Sequence, residues 1–298
     1  MPLYSLILFA VLTFFSFSHS SSHTEKIEIG KESFQTSSDI NPTIPAGFVD
    51  NLETFPNYFQ RDTTFGGFEH GGRVYCGPVA VANALMWFYH KGHHNLIDSR
   101  GDSTRDHFEL AKILGSSQYF NTGNRGTGAR ALSSGLERYF HNRDISGFEI
   151  SHQGWRSVAP HFTQPTKTLP DIQSLKKALR EDKAVLLNFG WYRYDQQNDV
   201  YRRTGGHWVT LIGYGHDGKG ENPNALIFRD PGTRNRLNDY ILIEKIEEGE
   251  MVGRTQGLPV NAEGFYKFRQ SRRRVGIIDG AMVISMPQLH QTEHLARN

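Results

Sequence analysis

Residues 73–92 read RVYCGPVAVANALMWFYHKG, and they hold the one cysteine of this 298-residue chain at the mouth of an apolar helix. From Val79 to Phe88 only Asn83 is polar, which predicts a helix buried on all sides. Pro78 suits the first turn, where its missing N–H has no intrahelical partner to lose, and Gly92 ends the run. Cys76 therefore falls at or just before the helix N-terminus. Unsatisfied backbone N–H groups and the macrodipole favour a thiolate there, and the same N–H groups suit an oxyanion in acyl transfer. Gly77 leaves room beside the sulfur for a substrate carbonyl.

Leu6–Phe17 is a second apolar run, LILFAVLTFFSF, shorter than the ~20 residues a membrane-spanning helix needs. With the small residues Ser18 and Ser20 behind it, the pattern predicts a signal peptide over 1–20 and a secreted or periplasmic protein, although no Lys or Arg precedes the run. Residues 21–45 are rich in serine and charge and read as a flexible leader. Residues 46–288 are the expected folded domain, long enough for a sizeable core, with a tail over 289–298. A net charge of +2 and a pI near 8.6 do not suggest a nucleic-acid partner, and no stable membrane insertion is expected after signal removal. The basic run RQSRRRV at 269–275 reads as a solvated turn before a strand. One cysteine cannot close an internal disulfide. In an exported chain it is an intermolecular bridge, a small buried hydrophobe or a working thiol.

The order of elements predicts an α+β fold in which the cysteine-bearing helix packs on a mainly antiparallel sheet. Helices are expected over STRDHFELAKILG (103–115), GTGARALSSGLERYF (126–140) and DIQSLKKALRED (171–182), the first capped by Ser103 or Thr104 and the last by Asp171, with Leu175, Ala178 and Leu179 inward. Strands are expected late, over 183–192, 207–214, 224–230 and 275–286. Helices first and strands after argue against alternating βαβ units.

A thiol nucleophile needs a base. Among 14 histidines, His207 opens a strand directly after Gly205-Gly206 in RRTGGHWVTLIGYG. Asp230 ends the next strand in LIFRDPGT, and suits the group that orients an imidazole and stabilises its charged form. If these strands form a hairpin about GHDGKGENPN (215–224), pairing Tyr214 with Pro223 sets His207 opposite Asp230, their Cβ atoms about 5 Å apart. Val209, Leu211, Leu226 and Phe228 then share that face as an apolar floor for the Cys76 helix. A slip of one residue turns Asp230 away. Asp217 and Asp279 are rival orienters that this register does not bring opposite His207.

Cys-Gly-Pro opening an apolar helix, Gly-His-Trp-Val starting a strand and Asp-Pro ending the next together resemble the papain-like cysteine peptidases of the bacteriocin-leader-processing (double-glycine peptidase-like) type and their secreted relatives. The resemblance spans Gln60 to Ser285. It implies a papain-like fold, with Cys76 as nucleophile, His207 as general base and acid, and Asp230 as orienter. A peptide or protein substrate is implied, and no metal or organic cofactor. The distance from Cys76 to His207 agrees with the about 130–150 residues of papain-type enzymes. Such enzymes usually carry a glutamine shortly before the cysteine. Here His70 stands six residues before Cys76 and the nearest glutamine, Gln60, sixteen. The four glycines of RDTTFGGFEHGG (61–72) let the chain loop out and return Gln60 toward Cys76. Gln60 is therefore the expected oxyanion donor and His70 its rival.

The expected activity is hydrolysis of a peptide or other amide through a thioester. The alternatives are a transglutaminase-like acyl transferase using the same residues, and a catalytically silent binding module on the same fold. His90, His93 and His94 read as a solvated helix end, because no carboxylate or cysteine is spaced to complete a familiar metal site. In SRGDS (99–103), Asp102 or Ser103 has the ordinary use of a helix cap. Trp191, Tyr192, Tyr194 and Tyr201 fit either a cleft wall or strand packing.

Overall fold

A computed structural model of the chain describes residues 55–155, 168–234, 239–253, 259–269 and 274–289. The expected signal peptide and leader lie outside these residues, as do most of the tail and Arg272 and Arg273 of the basic run. Helix α1, Cys76–His90, is buried without a break from Cys76 to Phe88. Helices α2 (Ser103–Gly115) and α3 (Ala129–His141) share its core through Phe108, Leu114, Leu132 and Leu136. Of the residues proposed as caps for α2, Asp102 takes the role: its Oδ1 accepts from the N–H groups of Thr104 and Arg105, both at 3.1 Å. The Arg-Gly-Asp triplet is thereby used in the helix entry, and Arg100 N–H donates to Asp106. No described helix is long and apolar enough to cross a membrane.

The chain continues with β1 (Glu149–Gly154), α4 (Ile172–Arg180), β2 (Ala184–Asp195), β3 (Val200–His216), β4 (Glu221–Arg229), β5 (Asp239–Lys245), β6 (Glu250–Val252), β7 (Val260–Asn261), β8 (Tyr266–Phe268) and β9 (Val275–Ser285). The fold is α+β with a mainly antiparallel sheet, the pairing of β3 with β6 being parallel. Antiparallel pairings run β2–β3–β4–β5–β8–β9 and from β9 back to β2, so six strands close into a ring. Each ring strand contributes to one apolar cluster that includes Leu187, Leu211, Phe228, Ile243, Phe268 and Ile278. Asp171 caps α4 as expected, and α4 lays Ile172, Leu175, Ala178 and Leu179 on that cluster. The opposite face, with Leu186, Trp208, Ile212, Ile227 and Met282, packs on α1.

Two expectations about the β3–β4 hairpin are corrected. The alignment holds beside the turn, where His216 pairs with Glu221, but shifts on the way to the site. Irregularities between Tyr214 and His216 and between Leu211 and Gly213 leave Thr210 opposite Arg229, two residues from the expected partner. His207 and Asp230 are therefore not directly opposed, although an even shift keeps the facing unchanged. Val209, Leu211, Leu226 and Phe228 also do not form the floor of the cysteine helix. They lie on the ring cluster, and the floor comes from Trp208, Thr210, Ile212 and Ile227 on the other face. Both faces of these strands are apolar, so alternation alone does not say which one meets a helix.

Candidate active site

Cys76 is a free, buried thiol at the first position of α1, and no side chain caps the helix at Tyr75. The N–H groups of the first turn are thus left to the sulfur and whatever approaches it. Gly77 is not the open space expected. A Cβ there would stand 3.0 Å from Thr127 Cβ, so the missing side chain serves the packing of α1 on the segment before α3. That segment also receives Trp208, whose Nε1–H donates to Thr127 O at 2.9 Å. Thr210 Oγ1 donates to Ala80 O at 3.1 Å. These two bonds fasten the stretch of β3 after His207 to α1.

Asp230 follows the last residue of β4 and opens an Asp-Pro-Gly turn. Its Oδ1 accepts from Gly232 N–H at 2.6 Å, and Thr233 N–H donates to its carbonyl at 3.1 Å. His207 Nε2 lies 2.5 Å from Asp230 Oδ1, with both residues buried. A carboxylate only accepts, so Nε2 carries the proton and donates it. Nδ1 is then the nitrogen left for Cys76, which also raises the ring's affinity for its proton. Gly232 closes over this contact: a Cβ there would stand 3.0 Å from Asp230 Oδ1 and 3.5 Å from His207 Nε2.

The electrostatics follow from these contacts. Burial pushes the Cys76 thiol up, but the hydrogen bond and charge of His207, with the Trp208 N–H, outweigh it and hold the thiol below its ordinary range. Burial pushes His207 down, but the Asp230 charge and hydrogen bond, followed by Cys76, hold the imidazole well above its ordinary range. Opposite shifts on partners in contact favour a thiolate–imidazolium pair. The rival carboxylates are engaged elsewhere. Asp217 accepts from Lys219 and Gly220 N–H in its own turn, and Asp279 accepts from Arg203 and Tyr192.

Gln60 is buried and His70 is exposed. Phe55 stacks on Trp87 at 5.1 Å, Arg229 Nε–H donates to Phe55 O, and Tyr58 N–H donates to Asn83 Oδ1 of α1. These anchors lay the segment before Gln60 between the cysteine helix and the end of β4. Gln60 N–H then donates to Pro231 O at 2.8 Å, and its Nε2 to Gly72 O at 2.9 Å. The glutamine thereby joins the chain just before Cys76 to the turn that holds Asp230. Gly72 O can only accept, so the amide must present its NH2 there, and one hydrogen of Nε2 is left over. Gly72, at φ 72°, permits the approach: a Cβ on it would stand 1.7 Å from Gln60 O. His70 instead occupies a left-handed position at φ 54° in the looped-out turn. Among the described residues no group of His, Cys, Asp and Glu is arranged to hold a metal.

Sequence reasoning missed the anchors of Gln60 and the partners of Asp279. Asp279 carried a signal, a carboxylate inside the apolar strand VGIIDGAMVIS, which demands a buried partner.

The family model described as the Peptidase_C39 like family matches residues 52–250, about two thirds of the chain. The crystal structure of a provisionally assigned C39-like peptidase from Bacillus anthracis aligns with 81% of this chain and 99% of its own, at 12% identity and a TM-score of 0.38. No curated protein matches the chain at significance.

Proposed function

Because the chain belongs to the Peptidase_C39 like family, we propose that it is a papain-like thiol hydrolase that cleaves a peptide or other amide bond through Cys76, His207 and Asp230. One observation carries this reading. His207 Nε2–H donates to Asp230 Oδ1 at 2.5 Å, and the ring's affinity for its proton is raised further by Cys76, which stands at a helix N-terminus. In the reaction, Cys76 Sγ attacks the scissile carbonyl carbon as a thiolate. The carbonyl oxygen becomes an oxyanion beside the Cys76 N–H and the remaining amide hydrogen of Gln60 Nε2. His207 gives its Nδ1 proton to the leaving amine, and the C–N bond breaks to leave a thioester. The neutral ring then takes a proton from water as the hydroxide adds to the thioester carbonyl. Collapse expels the Cys76 thiolate and releases the carboxylate. Asp230 stays ionised and holds the ring throughout.

The substrate is a peptide or protein segment. That the enzyme is exported is supported by the apolar run at residues 6–17, and its likeness to the double-glycine type by the three motifs around Cys76, His207 and Asp230. Cys76→Ala is expected to abolish hydrolysis while circular dichroism stays native, and retained turnover would overturn the thiol mechanism. Product formed with an added amine, in place of hydrolysis, would assign acyl transfer. Exported protein is expected to begin near Ser21 by mass, and an intact Met1 or Pro2 terminus would contradict a cleaved signal.

A further inference from the structure

Gly205 and Gly206 lie directly before His207, inside β3. Gly206 makes room for a side chain. A Cβ on it would stand 2.4 Å from Arg203 Nη2, and a Cβ on Gly190, its partner across β2 and β3, would stand 2.2 Å from Asp279 Oδ2. The two facing glycines therefore clear the volume that a buried ion pair occupies. Arg203 Nε–H donates to Asp279 Oδ2 at 2.6 Å, with side chains 12% and 0% exposed. Tyr192 OH donates to the same oxygen at 2.8 Å and accepts from Trp155 Nε1–H at 3.2 Å.

Two interruptions in the strands accompany this pair. Between β2 and β3 the register steps from Trp191–Gly205 to Tyr192–Arg203 and skips Thr204. Between β2 and β9 it steps from Asn188–Gly280 to Phe189–Ile278 and skips Asp279 itself. An extra residue of this kind bends the strand and re-aims its side chain. A buried ion pair is a poor device for stability alone, since apolar residues of similar volume commonly serve as well. A pair that takes two glycines and two strand irregularities, with its arginine on the same strand as His207, calls for another use.

The guanidinium supplies one. Its Nη2 donates to Asn188 Oδ1 at 3.2 Å, and Asn188 Nδ2 donates to the backbone carbonyl of His207 at 3.4 Å. The path from the Asp279 carboxylate to the backbone of His207 is continuous and buried. We infer that Arg203, Asp279 and Asn188 are positioning residues that fix the backbone of His207, and with it the reach of the imidazole between Asp230 and Cys76. The inference rests on the catalytic reading of His207 given above. Arginine suits the role because its planar fork reaches Asp279 and Asn188 together, which a lysine ammonium at that position does not.

The test uses Asn188→Ala, which cuts the path, and Arg203→Lys, which keeps the charge and loses the fork. A double variant, Arg203→Met with Asp279→Leu, removes the pair without stranding a charge, and decides the matter should a single variant fail to fold. Three readouts are taken from the full chain: kcat and KM on a cleaved peptide, the rate of Cys76 alkylation by iodoacetamide against pH, and Tm. Misplacement by ~1 Å costs ~100-fold in rate, so a smaller drift of the base is expected to cost about tenfold. The loss is expected in kcat and not in KM, with a parallel fall in alkylation on the acid side and Tm little changed. Variants that lower Tm but keep the unaltered protein's kcat and alkylation profile would make the pair purely structural and overturn the inference. If the unaltered protein alkylates on the acid side no faster than a free thiol, the thiolate–imidazolium reading falls, and this inference with it.

Discussion

His207 and His107 are both buried imidazoles, 7% and 4% exposed, and they stand in opposite electrical states. His107 lies in α2 with its ring 5.0 Å from that of Tyr58, and its Nε2 has no hydrogen-bond partner among the described residues. Burial, with a contribution from the nearby His90, pushes it down to about 3, so it is neutral. His207 undergoes the same desolvation but meets the Asp230 carboxylate and the Cys76 sulfur, which hold its proton in place. Burial by itself discharges an imidazole, and one carboxylate at hydrogen-bond distance reverses the outcome. The difference separates an imidazole that burial keeps neutral from one that its partners keep charged.

The largest expected effect comes from making His207 more like His107. Asp230→Asn keeps an acceptor for Nε2–H and removes the charge, so the imidazolium loses its counter-ion. The same exchange in a serine triad costs ~10^4-fold in turnover, and a loss approaching that order is expected here. The alkaline limb of kcat/KM should move toward acid, because it follows loss of the His207 proton. An unchanged rate and limb would remove Asp230 from the mechanism.

A smaller effect tests the segment that runs from Tyr58, against His107, to Gln60, which is bonded to the turn that holds Asp230. Gln60→Ala is expected to lower turnover about 100- to 1,000-fold, the usual loss for one oxyanion donor, with thiol labelling nearly unchanged. His70→Ala is expected to be close to silent, since its side chain is exposed. Reversal of those two results would return the donor to His70.

The smallest effect concerns stability. The folded His107 is held at about 3, against 6.5 for a histidine in water. Its contribution is therefore fully present above pH 6.5, and is lost as pH falls from 6.5 toward 3, where the unfolded chain takes a proton that the folded one refuses. The loss is about 1.4 kcal/mol per pH unit in that window. His107→Phe should flatten this part of the stability curve while leaving the pH profile of hydrolysis in place. An equal slope in the variant would mean that another group governs acid unfolding.

The sequence carries these sites unequally. Cys76 at the head of α1 was legible because all-round apolarity and Pro78 define a buried helix start. His207 and Asp230 were legible as a pair from Gly-Gly-His and Asp-Pro-Gly, but His207 does not open a strand as expected: β3 begins at Val200 and runs through both glycines, and only Asp230 stands at a strand end. Their register was not, because the irregularities at Ile212 and Gly215 change the count without leaving a mark in the hydrophobic pattern. Closure of the ring was also hidden: β8 has three residues and takes its identity from β5 and β9, which lie on either side of it in space. Gln60 could be proposed from the glycines that follow it. Its seat could not, since that depends on Asn83, Arg229 and Pro231, all distant in sequence.

The central claim is that His207 is an imidazolium held by Asp230 and Cys76, and it can be read directly. Histidine-selective 15N labelling with an NMR pH titration, assigned through His207→Gln and His107→Gln, reports the charge of both rings in one sample. The account predicts that His207 stays protonated through neutral pH and loses its proton only well above the ordinary histidine range, while His107 stays neutral down to about 3. A His207 ring that is already neutral at pH 7, or that titrates together with His107, would contradict it.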